Sequence, residues 1–314
     1  MPEEDEDVPG FWRALGLPGL ADAHVHFLPP RLLRRVWQYF DEAGPLVGVS
    51  WPIRYKWSDA ARVAHLRSMG VRMFSALAYA HRPGMAADLN EWTLEFGRTT
   101  PGCLPSATFF PEPGVAGYVR AALAAGARVF KVHLQVGGFA PDDPQLDEVW
   151  GLLAEARVPV VFHAGHAPVG TENTGPGPFG SLMARYPDLT AIVAHLGAPD
   201  YGAFLRMAAD YERVALDTTM VFTGFFDKLA RSRRRPCRWP ASWGWPGRSC
   251  SAATSRTCPT RTRGSWPGWP GWTWVRTGCA RCAGTTRWRC SGYRRRSAAA
   301  SSPVTRSRGR AGLR

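Results

Sequence analysis

The sequence predicts an α/β protein built as a (β/α)8 barrel of the TIM type, incomplete because its last strand is missing. Apolar segments with strand character alternate with helical patterns, and such alternation produces parallel strands. Histidines stand near the carboxyl ends of several segments, where barrel enzymes keep their active sites. A barrel needs eight strands, and seven can be counted. A doubly wound open sheet is the competing architecture, but no glycine-rich phosphate turn follows the first strand.

Seven short apolar runs are predicted as strands. They span residues 21–27, 71–79, 104–110, 127–136, 158–165, 190–197 and 214–220. Helical patterns occupy residues 59–70, 114–127, 143–157, 178–189 and 201–214. Gly70 suits the C-terminal end of the first of these helices. Asp143 and Pro144 are predicted as the N-cap and first position of the third.

Charged residues are unevenly distributed over the 314 residues. Residues 231–314 hold 20 of the 39 Lys and Arg, all of them Arg, and none of the 25 Asp and Glu. Residues 1–230 keep 19 basic and 25 acidic residues and all eight histidines. The net charge of +14 therefore belongs to the C-terminal part and is no sign that the histidine-bearing part binds nucleic acid. Two regions are expected: a barrel over 1–230 and an aberrant tail over 231–314.

Targeting signals are not evident. The start, MPEEDEDVPG, is acidic and unlike a secretory signal, and no apolar run is long enough to cross a membrane. A cytoplasmic protein is the default expectation.

The segment ADAHVHFLPP places His24 and His26 two residues apart, so that their side chains share one face of an extended strand. His163 and His195 end two further strands. A single histidine is most often a hydrogen-bonded core or surface residue, but four at matching positions of a strand–helix repeat point to a common site. Imidazole suits zinc and similar divalent ions. A catalytic zinc site offers about three protein ligands and an open position for water.

Five segments together resemble the amidohydrolase-related group of the amidohydrolase superfamily over about residues 20–230. They are ADAHVHFLPPRLL, PSATFFPEPG, FKVHLQVGGFAPDD, PVVFHAGHAP and AIVAHLGAPDY. This group contains metal-dependent hydrolases and decarboxylases of the aminocarboxymuconate-semialdehyde type.

The resemblance implies that His24, His26 and His163 bind one divalent metal ion, with zinc expected, and that His195 is the acid/base group or a further ligand. It implies hydrolysis of a small amide, ester or lactone by a metal-activated water, with a metal-dependent decarboxylase as the alternative. It also demands an Asp at the end of strand eight, in a motif like G-S-D-F-P.

Further polar residues are candidates for contacts with a small-molecule substrate. Lys131 and His133 share a face of the fourth strand, and His166 follows His163. A metal-bridging role for a carbamylated Lys131 is the less favoured alternative. Asp217 is expected to form hydrogen bonds rather than to line the pocket floor. Neither nucleic acid nor a membrane is an expected partner, and a homodimer is one option.

The demanded Asp is absent, because no Asp or Glu follows Asp227. Residues 231–314 also lack Lys, His, Ile, Phe, Asn, Gln and Met, as GC-rich DNA translated in the wrong frame would. In the neighbouring reading frame, each codon consists of the last base of one residue's codon and the first two bases of the next. Starting at Arg248, the codons of this frame admit the sequence V-L-F-G-S-D-F-P-N. A second stretch, residues 283–293, admits W-D-N-A-V-A-L-L-G-L, which resembles the closing helix of the family. We therefore expect a frame switch within 231–236 and an inactive chain as written.

Two other interpretations of the tail are weaker. An Arg- and Trp-rich arm would make the chain a non-enzymatic nucleic-acid-binding protein, but no known module spacing appears. The CARC segment at 279–282 is a single CxxC without the second pair that a zinc knuckle needs.

Overall fold

The structure is a computed structural model that describes residues 4–48, 50, 51 and 53–221. Its strands are β1 (Leu20–Asp22), β2 (Val71–Ser75), β3 (Cys103–Leu104), β4 (Ser106–Thr108), β5 (Val129–His133), β6 (Val160–His163), β7 (Ala191–Val193) and β8 (Val214–Leu216). Its helices are α1 (Val8–Ala14), α2 (Pro30–Glu42), α3 (Gly44–Val47), α4 (Asp59–Ser68), α5 (Ala86–Thr99), α6 (Val115–Ala124), α7 (Leu134–Gly137), α8 (Asp147–Ala156), α9 (Pro176–Arg185) and α10 (Tyr201–Asp210).

All strand pairs are parallel, as the alternation of strands and helices predicts. One sheet has the order β1-β2-β3 and the other the order β4-β5-β6-β7-β8. Pro105 separates β3 from β4 because it has no N–H to donate to a ladder, and its carbonyl still accepts a hydrogen bond from the backbone N–H of Arg128 at 2.7 Å. The two short strands therefore correspond to one predicted strand, and all seven predicted strands have a counterpart among the described residues.

The barrel is not closed within the part of the chain that the structure describes. β1 and β8 are the outer strands of the two sheets, and no pairing joins them among these residues. An eighth strand would belong between them, so the arrangement is that of an incomplete barrel. The tail over 231–314 and the expected frame switch lie outside the described residues.

All seven predicted strands extend beyond the observed carboxyl ends, and in two of them the chain turns just where a histidine stands. The strand predicted over 127–136 ends at His133, whose ring nitrogen Nδ1 accepts the N–H of Val136 at 3.3 Å and starts the short helix α7. The strand predicted over 190–197 ends at Val193, and a 3-10 turn covers Ala194–Gly197. His195 and Leu196 in that turn have φ values of 56° and 52°, which no strand residue adopts.

The five predicted helices are present with shorter bounds. Ser58 caps α4, Gly70 follows that helix with a φ of 88°, and the carboxylate of Asp143 accepts the N–H of Gln145 at 2.9 Å. A 3-10 turn at Pro144–Leu146 then leads into α8. The sequence analysis did not predict the helices α1, α2, α3, α5 and α7.

Side chains of the strands alternate between two environments. Phe130, Phe162 and Trp150 of α8 belong to the apolar layer between the second sheet and its helices. Val129, Val161 and three other residues form a separate small cluster on the opposite face of the strands. Because strand residues two apart share a face, this second face is also that of Lys131, His133 and His163.

None of the helices among the described residues is long and apolar enough to span a bilayer.

Candidate metal centre

Five histidines meet at the carboxyl ends of the strands. His133 and His163 are paired in register at the ends of β5 and β6, and their ring centroids are 3.9 Å apart. The ring of His195 lies 5.0 Å from that of His163 and 5.2 Å from that of His24, measured between centroids. His26 lies 5.1 Å from His24. The structure thus brings together the residues predicted as metal ligands, the predicted acid/base group and one predicted substrate contact.

The segment that carries His24 and His26 leaves β1 but stays attached to β2. The fully buried hydroxyl of Ser75 accepts the N–H of Val25 at 3.1 Å and donates to the carbonyl of Ala23 at 2.8 Å. The N–H of Leu77 donates to the carbonyl of Val25 at 2.7 Å. These bonds fix the backbone on both sides of His24.

Hydrogen bonds to acceptors determine which ring nitrogen carries the proton. Nδ1 of His26 lies 3.0 Å from the carbonyl oxygen of Leu77, and Nδ1 of His195 lies 2.8 Å from that of Thr219. Nδ1 of His24 lies 2.7 Å from Oδ2 of Asp217. A carbonyl or an ionised carboxylate only accepts, so all three rings donate from Nδ1. In their neutral form, all three carry the lone pair on Nε2.

The Nε2 atoms of the two histidines in the H-x-H segment face each other. Nε2 of His24 lies 3.2 Å from Nε2 of His26. With both protons on Nδ1, two lone pairs meet at this distance, and they repel unless a proton or a cation lies between them. Burial is the main cause that lowers the pKa of His26 well below its ordinary value, which disfavours the proton. The arrangement suits a cation that accepts nitrogen ligands.

Four of the five clustered rings, those of His26, His133, His163 and His195, are favoured in their uncharged form. Burial lowers the pKa of His133 and of His163 well below the ordinary value, and neighbouring basic groups lower both further. Burial lowers the pKa of His195 to about 3, against a smaller opposite effect of Asp217. Neutral imidazole is the form that binds metals.

Lys131 is almost completely enclosed on the same face, with 1% of its surface exposed. Burial lowers its pKa to about 7, and the negative charge of Asp217 opposes this shift. The amine is therefore divided between its charged and neutral forms near neutral pH.

Whether a metal ion fits this site depends on which side-chain atoms are available as ligands. Within residues 4–221 as described, no three His, Cys, Asp or Glu side chains form a ready-made metal group. The close pair of His24 and His26 fits a metal, and Nδ1 of His163 is buried without a hydrogen-bond partner in the described part of the chain. These residues fit a nitrogen-binding divalent ion as an incomplete set, and the assignment of His24, His26 and His163 as its ligands stays a prediction.

His166 is partnered separately from the five clustered histidines. Its Nδ1 lies 2.6 Å from Oδ2 of Asp200, and its side chain is 36% exposed. A Cβ on Gly175 would lie 2.1 Å from its ring, so this glycine makes room for the imidazole. A backbone bond of 2.9 Å from Ala167 to Ala198 joins the loops after β6 and β7 that carry the pair.

Two residues of the site were missed or undervalued. Asp217 was expected to form hydrogen bonds, but its contact with His24, 193 residues away, has no local sequence signal. The ring of Tyr79 lies 5.0 Å from that of His133 and 6.0 Å from that of His26, and burial raises its pKa to about 12. It ends an apolar run that reads only as a strand, so nothing in the sequence singled it out.

Similarity to one solved TIM-barrel structure supports the barrel fold. The chain is similar to an uncharacterised TIM-barrel protein from Bordetella bronchiseptica, with 16% identity and a TM-score of 0.52 over 66% of this chain and 75% of that one. It is also similar to 5-carboxyvanillate decarboxylase LigW from Sphingomonas paucimobilis, with 12% identity and a TM-score of 0.45 over 69% of this chain and 85% of that one. Similarity to dihydroorotase from Campylobacter jejuni has 14% identity and a TM-score of 0.42, over 70% of this chain and 58% of that one.

No curated protein matches the sequence. A sequence model described as Amidohydrolase matches residues 21–254, which is more than half of the chain. The match includes every segment that carries a clustered histidine. The chain therefore belongs to the amidohydrolase family.

Proposed function

We propose that this protein is a metal-dependent hydrolase of a small amide, ester or lactone. The observation that carries the proposal is the shared proton arrangement of His24, His26 and His195. All three donate from Nδ1 to fixed acceptors, and the Nε2 atoms of His24 and His26 meet at 3.2 Å. Metal-binding histidines characteristically donate their other ring N–H to a carboxylate or a carbonyl in this way.

His24, His26 and His163 would hold one divalent ion, and zinc suits three imidazoles. When bound, such an ion supplies a water whose pKa is lowered to near neutrality. The protein's own contribution is to orient the imidazoles and, through burial, to favour the neutral form of His26 and His163.

His195 is proposed as the acid/base group. Its Nδ1–H is held by the carbonyl of Thr219, so Nε2 is the atom that exchanges a proton with substrate. The low pKa keeps this ring neutral at neutral pH, so that Nε2 carries a lone pair that can accept a proton, and a protonated ring would be a strong acid. General acid–base catalysis of this kind typically contributes 10²–10⁴-fold to a rate.

Lys131, His133 and His166 are proposed as substrate contacts. Lys131 provides a partial positive charge close to the histidines, which favours a substrate with an anionic or strongly polarised group. His133 faces Tyr79 on one side and His163 on the other. His166 would act from the loop after β6, with Asp200 orienting it.

Decarboxylation is the alternative reaction, because it needs the same histidines. The direct test is to assay the purified, zinc-loaded, frame-restored protein for hydrolysis of small amides, esters and lactones and for release of CO2 from aromatic or enoic acids. Hydrolysis that a chelator abolishes and zinc restores supports the proposal. Chelator-sensitive CO2 release without hydrolysis would replace it with the alternative.

We also propose that the coding frame changes within residues 231–236, so that the chain as written lacks the strand-eight Asp. The contrasting hypothesis, a nucleic-acid-binding protein acting through the Arg-rich tail, predicts salt-dependent binding to random DNA that disappears when 231–314 is deleted. Binding that is unchanged by this deletion would exclude that hypothesis.

A further inference from the structure

We infer that Asp217 is a positioning residue that fixes the proton of His24 on Nδ1 and thereby presents Nε2 of that ring to a metal ion. The inference rests on the proposed function for the identity of the ligand, but the position of the proton can be measured without any metal.

The two oxygens of the Asp217 carboxylate have different partners. Oδ2 lies 2.7 Å from Nδ1 of His24, and the two side chains are only 12% and 4% exposed. Oδ1 accepts two backbone N–H groups, those of His195 and Thr219, both at 3.0 Å. Because Oδ1 is held from two directions, the carboxylate cannot rotate without breaking both bonds.

The same residue also holds the turn that carries His195. The backbone carbonyl of Asp217 accepts the N–H of Leu196 at 2.8 Å. His195 and Leu196 both have positive φ values, which cost energy for residues other than glycine and need support from their surroundings. Asp217, directly after β8, thus connects His24, which follows β1, with His195, which follows β7.

These contacts give the substitution Asp217→Asn an unusual consequence. The side-chain oxygen of the Asn would stay with the two backbone donors, since an NH2 group there would face two N–H groups. The NH2 group would then face His24, which must offer a lone pair on Nδ1 and move its proton to Nε2. A protonated Nε2 cannot bind a metal ion, although the shape of the site is almost unchanged.

The test uses the full chain labelled with ¹⁵N-histidine, freed of metal with a chelator, at pH 7.5. Long-range ¹H–¹⁵N correlation distinguishes the two neutral tautomers, and His24→Gln assigns the signals of His24. We expect the Nδ1–H tautomer in the wild type and the Nε2–H tautomer in Asp217→Asn. In parallel, Asp217→Asn should bind Zn²⁺ about 10–100-fold more weakly than the wild type.

Asp200→Asn is the matched control, because Asp200 forms an Asp–His contact of similar length, 2.6 Å, with His166. It should alter the signals of His166 and leave both the tautomer of His24 and the affinity for Zn²⁺ unchanged. An Nε2–H tautomer in the wild type overturns the inference, as does an Asp217→Asn protein with the wild-type tautomer and affinity. If Asp217→Asn does not fold, the wild-type tautomer alone decides.

Failure of the proposed function gives a different result. A frame-restored chain that shows the Nδ1–H tautomer at His24 but binds no Zn²⁺ would contradict the metal proposal and leave the role of Asp217 in orienting His24 intact.

Discussion

The imidazole rings of His133 and His163 stack with their centroids 3.9 Å apart, at the ends of the neighbouring strands β5 and β6. Two positive charges at this distance in a buried site would repel strongly, and burial lowers the pKa of both rings well below the ordinary value. His26 and His195 are shifted in the same direction by the same cause. The folded protein therefore favours the neutral form of these four rings.

We expect the metal-free protein to lose stability as the pH falls from about 6.5 to 4. Above this range the rings are neutral in both states. Between about pH 6.5 and 4 the unfolded chain takes up protons that the folded chain does not. The free energy of unfolding therefore decreases as the pH is lowered. Each such ring contributes about 1.4 kcal/mol per pH unit.

Urea unfolding at pH 7, 6 and 5 in the presence of a chelator measures this slope. His133→Phe should reduce the slope by about one proton. A slope that is the same in this variant and in the wild type would show that His133 is not neutral and buried in solution.

A second prediction concerns metal content. In the frame-restored chain, His24→Ala and His163→Ala should each lose bound zinc after loading and dialysis, because each removes one of very few ligands. His65→Ala is the control, since His65 lies on α4 and contacts Asp5 at 3.0 Å, outside the histidine cluster. Elemental analysis gives the occupancy. Full zinc occupancy in both ligand variants would show that the assigned ligands are wrong.

A third prediction concerns Lys131, whose pKa of about 7 lies below the ordinary 10.5. Between pH 7 and 8.5 the unfolded chain keeps the lysine proton that the folded chain releases. The unfolded state then binds more protons, so stability rises with pH in this window, by up to about 1.4 kcal/mol per pH unit.

The variant Lys131→Met removes the titrating amine and keeps an unbranched side chain of similar length. The difference in unfolding free energy between wild type and variant should therefore change with pH over this window, while contributions from all other groups cancel. A pH-independent difference would mean that the amine is charged, and hydrated or paired, in the folded protein.

The sequence was sufficient to predict the parallel order of the strands and the histidines that meet at their ends. Short apolar runs between helical patterns define the strands, and the carboxyl ends of parallel strands lie at the same edge of a sheet. The strand bounds were less accurate because His133 and His195 start turns stabilised by side-chain contacts. The turn at His195 depends on the carboxylate of Asp217, and such a contact across the fold has no local sequence pattern.

The proton arrangement of the site was likewise beyond the sequence. It depends on backbone carbonyls, such as that of Leu77 for His26 and that of Thr219 for His195, and any residue type supplies a carbonyl. The motif H-x-H predicts two imidazoles on one side of the chain. Only the folded backbone decides which nitrogen of each ring keeps its proton.

The last prediction is that the chain as written has little or no activity and that restoring the reading frame creates it. In the structure β1 and β8 stay unpaired with each other among the described residues, and unpaired strand edges favour aggregation. The codons across residues 248–256 admit G-S-D-F-P in the neighbouring frame, with the Asp codon shared by Ala253 and Thr254. The restored frame would supply a strand to close the gap, and its Asp would supply the carboxylate that the family resemblance requires.

Resequencing the gene across codons 225–240 tests the frame itself, and expressing both versions compares solubility, zinc content and hydrolysis. We expect the restored chain to be soluble and zinc-bound and to hydrolyse at least one small amide, ester or lactone. If the chain as written equals it in all three measurements, the strand-eight Asp is not needed and the frame proposal is wrong.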